Sequence, residues 1–219
     1  MNIYDNIDTI YYINLKKRQD RNEYIKEHLK KYFHNINIIR FEAIEPNIAY
    51  KYEFIKEKYN YNLLNKFPGI IGCYSSHMCI LKRLFHKYKQ SKTNKFVLIF
   101  EDDTFFNYKF INILKKPFNI TNWNILLGIN PSCNVDIQDL NNFDDYLKIP
   151  KEKRSNSIFG TNLVIYNLNN ISTIYKKMLS IPKIIDIDIM IRNNISDIHI
   201  FNTKYILEHN SLSKSDIRN

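Results

Sequence analysis

The chain of 219 residues is poor in the residues that shape turns and covalent frameworks, with four glycines, six prolines and three cysteines. Cys73, Cys79 and Cys133 are odd in number and match no metal-ligand spacing, so they do not imply a disulfide framework. No apolar stretch approaches the length of a membrane span, and the first residues lack the pattern of a signal peptide. We therefore expect a soluble, cytoplasmic protein without a membrane span.

The composition favours one globular domain with a substantial core. Hydrophobic residues make up 44% of the chain and aromatic residues 14%, and there is no repeat, low-complexity tract or linker. The net charge of +10 suggests polyanionic partners, but the basic residues are scattered and form no stripe. A solvated basic surface is therefore favoured over a specific nucleic-acid partner. Richness in Asn, Ile, Lys and Tyr is typical of AT-rich genomes such as those of large DNA viruses, in which case the location would be the host cytoplasm.

Predicted strands alternate with predicted helices along the chain. Helices are predicted after the first strand to about Phe33 and at 50–66, 70–88 and 168–179; strands are predicted at 8–15, 36–42, 96–101, 123–127, 158–166 and 198–201. This alternation predicts an α/β fold with a mainly parallel central sheet and helices on both faces. The polar segment 130–156 is predicted as a long loop of the kind that covers a site.

Three consecutive carboxylates, Glu101, Asp102 and Asp103, directly follow the most apolar predicted strand. Ligand sites in α/β sheets lie outside the carboxyl ends of such strands, and like charges at one point favour a bound cation. The spacing of Glu101 and Asp103 places both on one face of an extended strand end. A divalent metal there would bind the oxygens of a diphosphate. The alternative, carboxylates that cap the next helix, is about equally favoured.

The helix predicted at 70–88 carries a second group of candidate residues. Pro68-Gly69 and Gly72 make a tight entry that could face a ligand, although ordinary turn chemistry is favoured for any single glycine. Ser76 and His77 follow within one turn. Because His77 falls on the apolar face, a core histidine bonded to a neighbour is favoured over a ligand.

Two further candidates lie in the last third of the chain. Asp186 and Asp188 interrupt an apolar run, so they either cap a helix or face a polar cleft, where one could act as a general base. His209 is either a metal ligand or an exposed side chain, and the residues alone favour exposure.

An ordered set of motifs spans nearly the whole chain and resembles glycosyltransferase family 25, the family of lipooligosaccharide and procollagen galactosyltransferases. All four glycines fall within this set. Its members are Tyr12–Arg21, Phe41–Ile44, Gly69–His77, Leu98–Asp103, Trp123–Gly128, Gly160-Thr161 with Tyr166, the Asp186/Asp188 segment and Ser213–Ile217.

The resemblance implies a GT-A-type fold, a UDP-sugar donor and Mn²⁺ or Mg²⁺ at the acidic motif. By analogy, the donor would be bound by Asn14, Leu15, Arg18, Gly72, Ser76, His77, Glu101 and Asp102. The metal would be held by Asp103 and Glu101 with His209, which the resemblance favours more than the residues alone. Asp186 or Asp188 would deprotonate the acceptor in an inverting transfer of galactose or glucose to a hydroxyl of a glycan or of hydroxylysine in a collagen-like protein.

The chain departs from the family pattern at two points. Asn162 stands where the family often has His, and Thr203 falls near an expected Pro. A second interpretation therefore stays open, in which the domain binds a nucleotide-sugar or glycan without catalysing transfer.

Overall fold

Strands and helices alternate along the chain in the computed structural model, which describes residues 1–58, 65–128, 146–148 and 161–201. The strands are β1 (Ile7–Asn14), β2 (Asn37–Glu42), β3 (Phe96–Glu101), β4 (Ile125–Gly128), β5 (Tyr146–Lys148), β6 (Leu163–Asn167) and β7 (Ile198–Phe201). The α-helices are α1 (Gln19–Tyr32), α2 (Glu53–Lys56), α3 (Pro68–Tyr88), α4 (Tyr108–Lys115), α5 (Ile171–Leu179) and α6 (Ile187–Asn194).

The described strands form one sheet in the order β2-β1-β3-β6-β4-β7-β5. Parallel pairs join β1 to β2, β1 to β3 and β4 to β7, whereas β6 runs antiparallel to both β3 and β4, and β5 runs antiparallel to β7. All strands except β5 and β6 thus point the same way, which confirms a mainly parallel α/β sheet. The reversed β6 begins at the edge where β3 ends, so it brings residues 161–162 beside Glu101.

The central strand β3 separates two layers of core. Val97 and Ile99 pack in one cluster with residues of α3, α5 and α6, and Phe96, Leu98 and Phe100 pack in the other with residues of α1 and α4. This division follows from the alternation of side chains along a strand. Helices therefore cover both faces, as the sequence predicts.

The structure corrects several predicted boundaries. Helix α3 begins at Pro68 rather than at residue 70, because proline is favoured in the first turn of a helix. Residues 50–58 do not form one helix: a 3₁₀ helix ends at Lys51, Tyr52 is extended with ψ of 119°, and α2 follows. The remainder of that predicted helix, 59–64, lies outside the described residues.

The last third of the chain differs in similar ways. The apolar run around Asp186 and Asp188 continues into the helix α6, and a 3₁₀ turn precedes α5. Most of the predicted loop 130–156 lies outside the described residues, but its residues 146–148 form β5. No helix in the described ranges is both long and apolar enough to span a bilayer.

Candidate functional site

A cavity of about 310 Å³ opens at the sheet edge where β1, β2 and β3 end. This is the edge at which α/β sheets bind their ligands. The cavity is lined by Ile13, Leu15, Lys17, Arg21, Ala43, Ile44, Glu45, Pro46, Pro68, Gly69, Gly72, Cys73, Ser76, Glu101, Asp102 and Asp103. It therefore combines two basic side chains, four acidic side chains and an apolar wall.

The three consecutive carboxylates enter three different environments. Asp102 is buried, and it accepts hydrogen bonds from Asn14 Nδ2 at 2.7 Å and from Arg21 Nη1 at 3.0 Å. Burial raises the pKa of Asp102, an effect that these two donors oppose but do not cancel. The predicted role of Asp102 in donor binding stays a prediction, and in this structure the residue joins β3 to β1 and α1.

Asp103 lines the cavity beside Asp102. Its Oδ1 accepts a hydrogen bond of 3.3 Å from Asn162 Nδ2, and its Oδ2 lies 3.8 Å from Arg21 Nη1. The next helix, α4, is capped by Asn107, whose side chain accepts from the backbone N–H of Lys109. The N-cap of α4 thus uses an amide side chain four residues after Asp103.

Glu101 points into a cluster that we call the Cys-His-Glu cluster, formed by Cys73, His77 and Glu101. Its Oε1 accepts a hydrogen bond of 2.5 Å from Thr161 Oγ1 and lies 3.7 Å from both Cys73 Sγ and His77 Nε2. Burial alone would raise the pKa of Glu101, but its neighbours, His77 above all, bring that pKa below its ordinary value. The carboxylate of Glu101 is therefore stabilised as an anion.

A hydrogen bond connects the first turns of α3 to the segment that follows β2. Ser76 Oγ accepts a hydrogen bond from the backbone N–H of Ile44 at 2.8 Å and donates to the Gly72 carbonyl at 2.7 Å. A Cβ atom at Gly72 would stand 3.0 Å from the Ile44 carbonyl oxygen, which is too close for ordinary contact. Glycine is needed here for the close approach of two backbones, and not only for a turn.

The other residues predicted to bind the donor divide between the cavity and its supports. Leu15 lines the cavity, whereas the side chain of Asn14 is engaged by Arg40 and Asp102. Arg18 makes an ion pair with the exposed Asp20, and its carbonyl accepts a bond from Asn14. His77 is fully buried behind Glu101.

The two aspartates of the last third lie at the start of α6. Asp186 occupies its N-cap position without a side-chain cap bond, and burial and the charge of Asp188 raise the pKa of Asp186. The charge of Asp188 also helps to raise the pKa of Cys73, which burial and Glu101 raise most. Asp188 is therefore within electrostatic range of the Cys-His-Glu cluster. His209 lies outside the described residues.

Residue-by-residue reasoning missed four side chains of this site: Lys17, Arg21, Cys73 and Thr161. Lys17 precedes α1 and Arg21 lies in its first turn, and nothing local in the sequence marks either one as a site residue. Cys73 and His77 are four residues apart on a helix, a spacing that places them on one face and could have indicated their pairing.

The fold and the cavity define an α/β protein that has a charged cavity at the carboxyl ends of its parallel strands. The chain belongs to glycosyltransferase family 25, described as LPS biosynthesis protein, whose model matches residues 7–172. This confirms the predicted family. No curated protein matches the chain significantly.

Three solved structures illustrate its similarity to other proteins. A glycosyltransferase involved in glycosylation of the major capsid of PBCV-1 is 13% identical over 80% of this chain and 65% of its own, with a TM-score of 0.43. An active-site mutant of LgtC is 12% identical over 88% of this chain and 72% of its own, with a TM-score of 0.45. Mouse xyloside xylosyltransferase 1 is 12% identical over 80% of this chain and 59% of its own, with a TM-score of 0.32.

Proposed function

We propose that this protein transfers galactose or glucose from a UDP-sugar to a hydroxyl group, with the donor bound in the cavity at the ends of β1 and β3. One observation carries this proposal: Lys17, Arg21, Glu101 and Asp103 line the same cavity. A nucleoside diphosphate needs cations around its phosphates, and a carboxylate can reach those phosphates only through a metal ion. Family membership supports the sugar-transfer chemistry.

The carboxylate ligands that the acidic motif offers fit a hard divalent cation. Asp103 and Glu101 offer carboxylate oxygens, the ligands that suit Mn²⁺ and Mg²⁺, and both line the cavity. Asp103 would be the main ligand, because Glu101 Oε1 already contacts Cys73, His77 and Thr161. The third ligand expected from the family, His209, rests on that resemblance. When bound, the cation would neutralise charge on the departing UDP.

Different side chains around the cavity would bind different parts of the UDP-sugar. Lys17 and Arg21 would hold the diphosphate by charge-assisted hydrogen bonds. Ile13, Leu15 and Ala43 form an apolar wall on which the nucleobase can rest. The position of Gly72 beside this wall lets α3 approach closely and keeps the cavity narrow.

The transfer step would use a carboxylate from α6 as the general base. Asp186 or Asp188 would take the proton of the acceptor hydroxyl as its oxygen attacks the anomeric carbon and the bond from that carbon to the diphosphate oxygen breaks. This single displacement inverts the anomeric configuration. The acceptor would be a glycan or hydroxylysine in a collagen-like protein.

The experiment that tests the donor site is a UDP-sugar panel, read by UDP release with Mn²⁺, with Mg²⁺ and after chelation. We expect hydrolysis of UDP-galactose or UDP-glucose that requires added metal. GDP-sugars serve as matched controls for the nucleobase. The proposal is wrong if no UDP-sugar is bound or split under any metal condition.

The choice between the two aspartates can be made from pH profiles. If Asp186 is the base, activity falls as the pH falls through its raised pKa, because only the carboxylate accepts a proton. Asp188→Asn then moves this acidic limb to lower pH, since removing the neighbouring negative charge lowers the pKa of Asp186. If Asp188 is the base, Asp188→Asn lowers kcat by a factor of about 10²–10⁴, the usual contribution of a general base.

The matched variant is Asp186→Asn, whose kcat should fall by the larger factor if Asp186 is the base. Activity that survives both substitutions with an unchanged pH profile would contradict the assignment of the base to α6.

A second candidate function is a domain that binds a nucleotide-sugar or glycan without transfer. It is favoured by the hydrogen bond from Asn162 to Asp103, which occupies one oxygen of the proposed metal ligand. Donor binding that requires Asp103, with no turnover on any acceptor tested, would support this candidate.

A further inference from the structure

We infer that the Cys-His-Glu cluster is a binding site for Zn²⁺ that adjoins the Mn²⁺ and donor site proposed at Asp103 and shares Glu101 with it. Thiolate, imidazole and carboxylate are the three ligand types that zinc uses in proteins. Mn²⁺ and Mg²⁺ favour oxygen ligands, so a thiolate and an imidazole together select against them. The inference does not depend on the function proposed above.

The distances within the cluster are close to those of a tetrahedral zinc site. Glu101 Oε1 lies 3.7 Å from both Cys73 Sγ and His77 Nε2, and the ligand atoms of the three residues all lie within 4.8 Å of one another. Zinc bonds of about 2.0–2.3 Å at tetrahedral angles place neighbouring ligand atoms roughly 3.4–3.6 Å apart. Small side-chain shifts would therefore complete the coordination.

An independent observation comes from His77. Its side chain is fully buried, and neither ring nitrogen has a hydrogen-bond partner among the described residues. The 3.7 Å gap to Glu101 exceeds the length of a hydrogen bond. A buried imidazole whose ring nitrogens make no hydrogen bond within the described residues carries a desolvation cost, which a bound metal would remove.

The fold holds the three ligands on two rigid elements. Cys73 and His77 lie one turn apart on α3, and Glu101 ends β3. Thr161 donates to Glu101 Oε1 at 2.5 Å, as outer-shell groups do when they orient a ligating carboxylate. Three protein ligands leave a fourth position for water or for a group from the cavity, which Cys73 and Glu101 line.

The test uses the full chain after removal of metal by chelation and dialysis. Co²⁺, a spectroscopic substitute for Zn²⁺, should give a sulfur-to-cobalt charge-transfer band and the visible bands of tetrahedral coordination. Calorimetric titration with Zn²⁺ should show one site whose affinity falls in Cys73→Ser by more than the roughly 10–100-fold typical of outer-shell changes. Thr161→Val should lower the affinity within that 10–100-fold range.

Cys79→Ser, a substitution on the same helix outside the cluster, is the matched control and should retain the charge-transfer band. Asp103→Asn should also retain it, while lowering the rate of UDP release and raising the Mn²⁺ concentration needed for half-maximal rate, so the two metal sites fail separately. Thermal melting without metal establishes that each variant is folded. The absence of the band in the folded wild-type protein, or its persistence in Cys73→Ser, would overturn the inference. Zn²⁺ binding that Asp103→Asn removes and Cys73→Ser retains would overturn it as well.

Discussion

Replacing Arg21 with methionine is expected to lower the free energy of unfolding by about 3–5 kcal/mol, the usual cost of breaking a buried ion pair from one side. Arg21 and Asp102 are both buried, with 3.0 Å between Nη1 and Oδ1. Without the guanidinium, Asp102 keeps only the hydrogen bond from Asn14 and must either carry an uncompensated charge or bind a proton. Urea denaturation at pH 7 measures the change.

The pH dependence of this loss identifies its cause. The pKa of Asp102 is already raised in the folded protein, and removing Arg21 raises it further. Protonation cancels the buried charge, so the difference in stability between Arg21→Met and wild type should shrink as the pH falls through that pKa.

The matched control is Arg18→Met, because Arg18 pairs with the exposed Asp20 and solvent screens that pair. We expect little change in its stability. Equal stabilities of Arg21→Met and wild type at pH 7 would show that the buried pair contributes nothing to folding.

Replacing Asp103 with asparagine is expected to lower the rate of UDP release by about 10²–10³-fold, the effect of losing one electrostatic group that stabilises a transition state. The substitution keeps the size of the side chain but removes the negative charge through which a divalent cation would hold the diphosphate. The Mn²⁺ concentration needed for half-maximal rate should rise in parallel. Steady-state kinetics across a metal titration measures both quantities.

Glu45→Gln is the control for Asp103→Asn, because Glu45 lines the same cavity but follows β2 rather than β3. It removes one negative charge from the cavity and should leave the metal requirement unchanged. Stability should change little in Asp103→Asn, since the two side chains have nearly the same size and shape. An Asp103→Asn enzyme with wild-type rate and metal dependence would refute the assignment of Asp103 as the metal ligand.

The parts of the fold that follow from local pattern were predictable. β3 is apolar at every position from Phe96 to Phe100 and was predicted with its observed bounds. α3 repeats its apolar residues with the helical period and was predicted to begin two residues later than it does. The reversed direction of β6 was not predicted, because strand direction depends on the path of the connecting chain rather than on the residues of the strand. That reversal brings Thr161 and Asn162 to the acidic motif.

The candidate site was also predictable only in part. The position of the acidic motif could be predicted, because charges at the end of a buried strand are conspicuous in the sequence. The distinct environments of its members were hidden, since Asp102 meets Arg21 across 81 residues of sequence and Glu101 meets Thr161 across 60. Contacts at such separations depend on the whole sheet order, and no local spacing encodes them.

The bonds of Ser76 also determine how the cavity can respond to a ligand. The Ser76 hydroxyl joins residues 43–46 to α3, and the two segments pack closely against each other at Gly72. We therefore expect residues 43–46 and α3 to move together rather than separately. A ligand in this cavity would meet a side that is already ordered, so little conformational entropy would be lost there on association, and selectivity between ligands would follow from the resting shape.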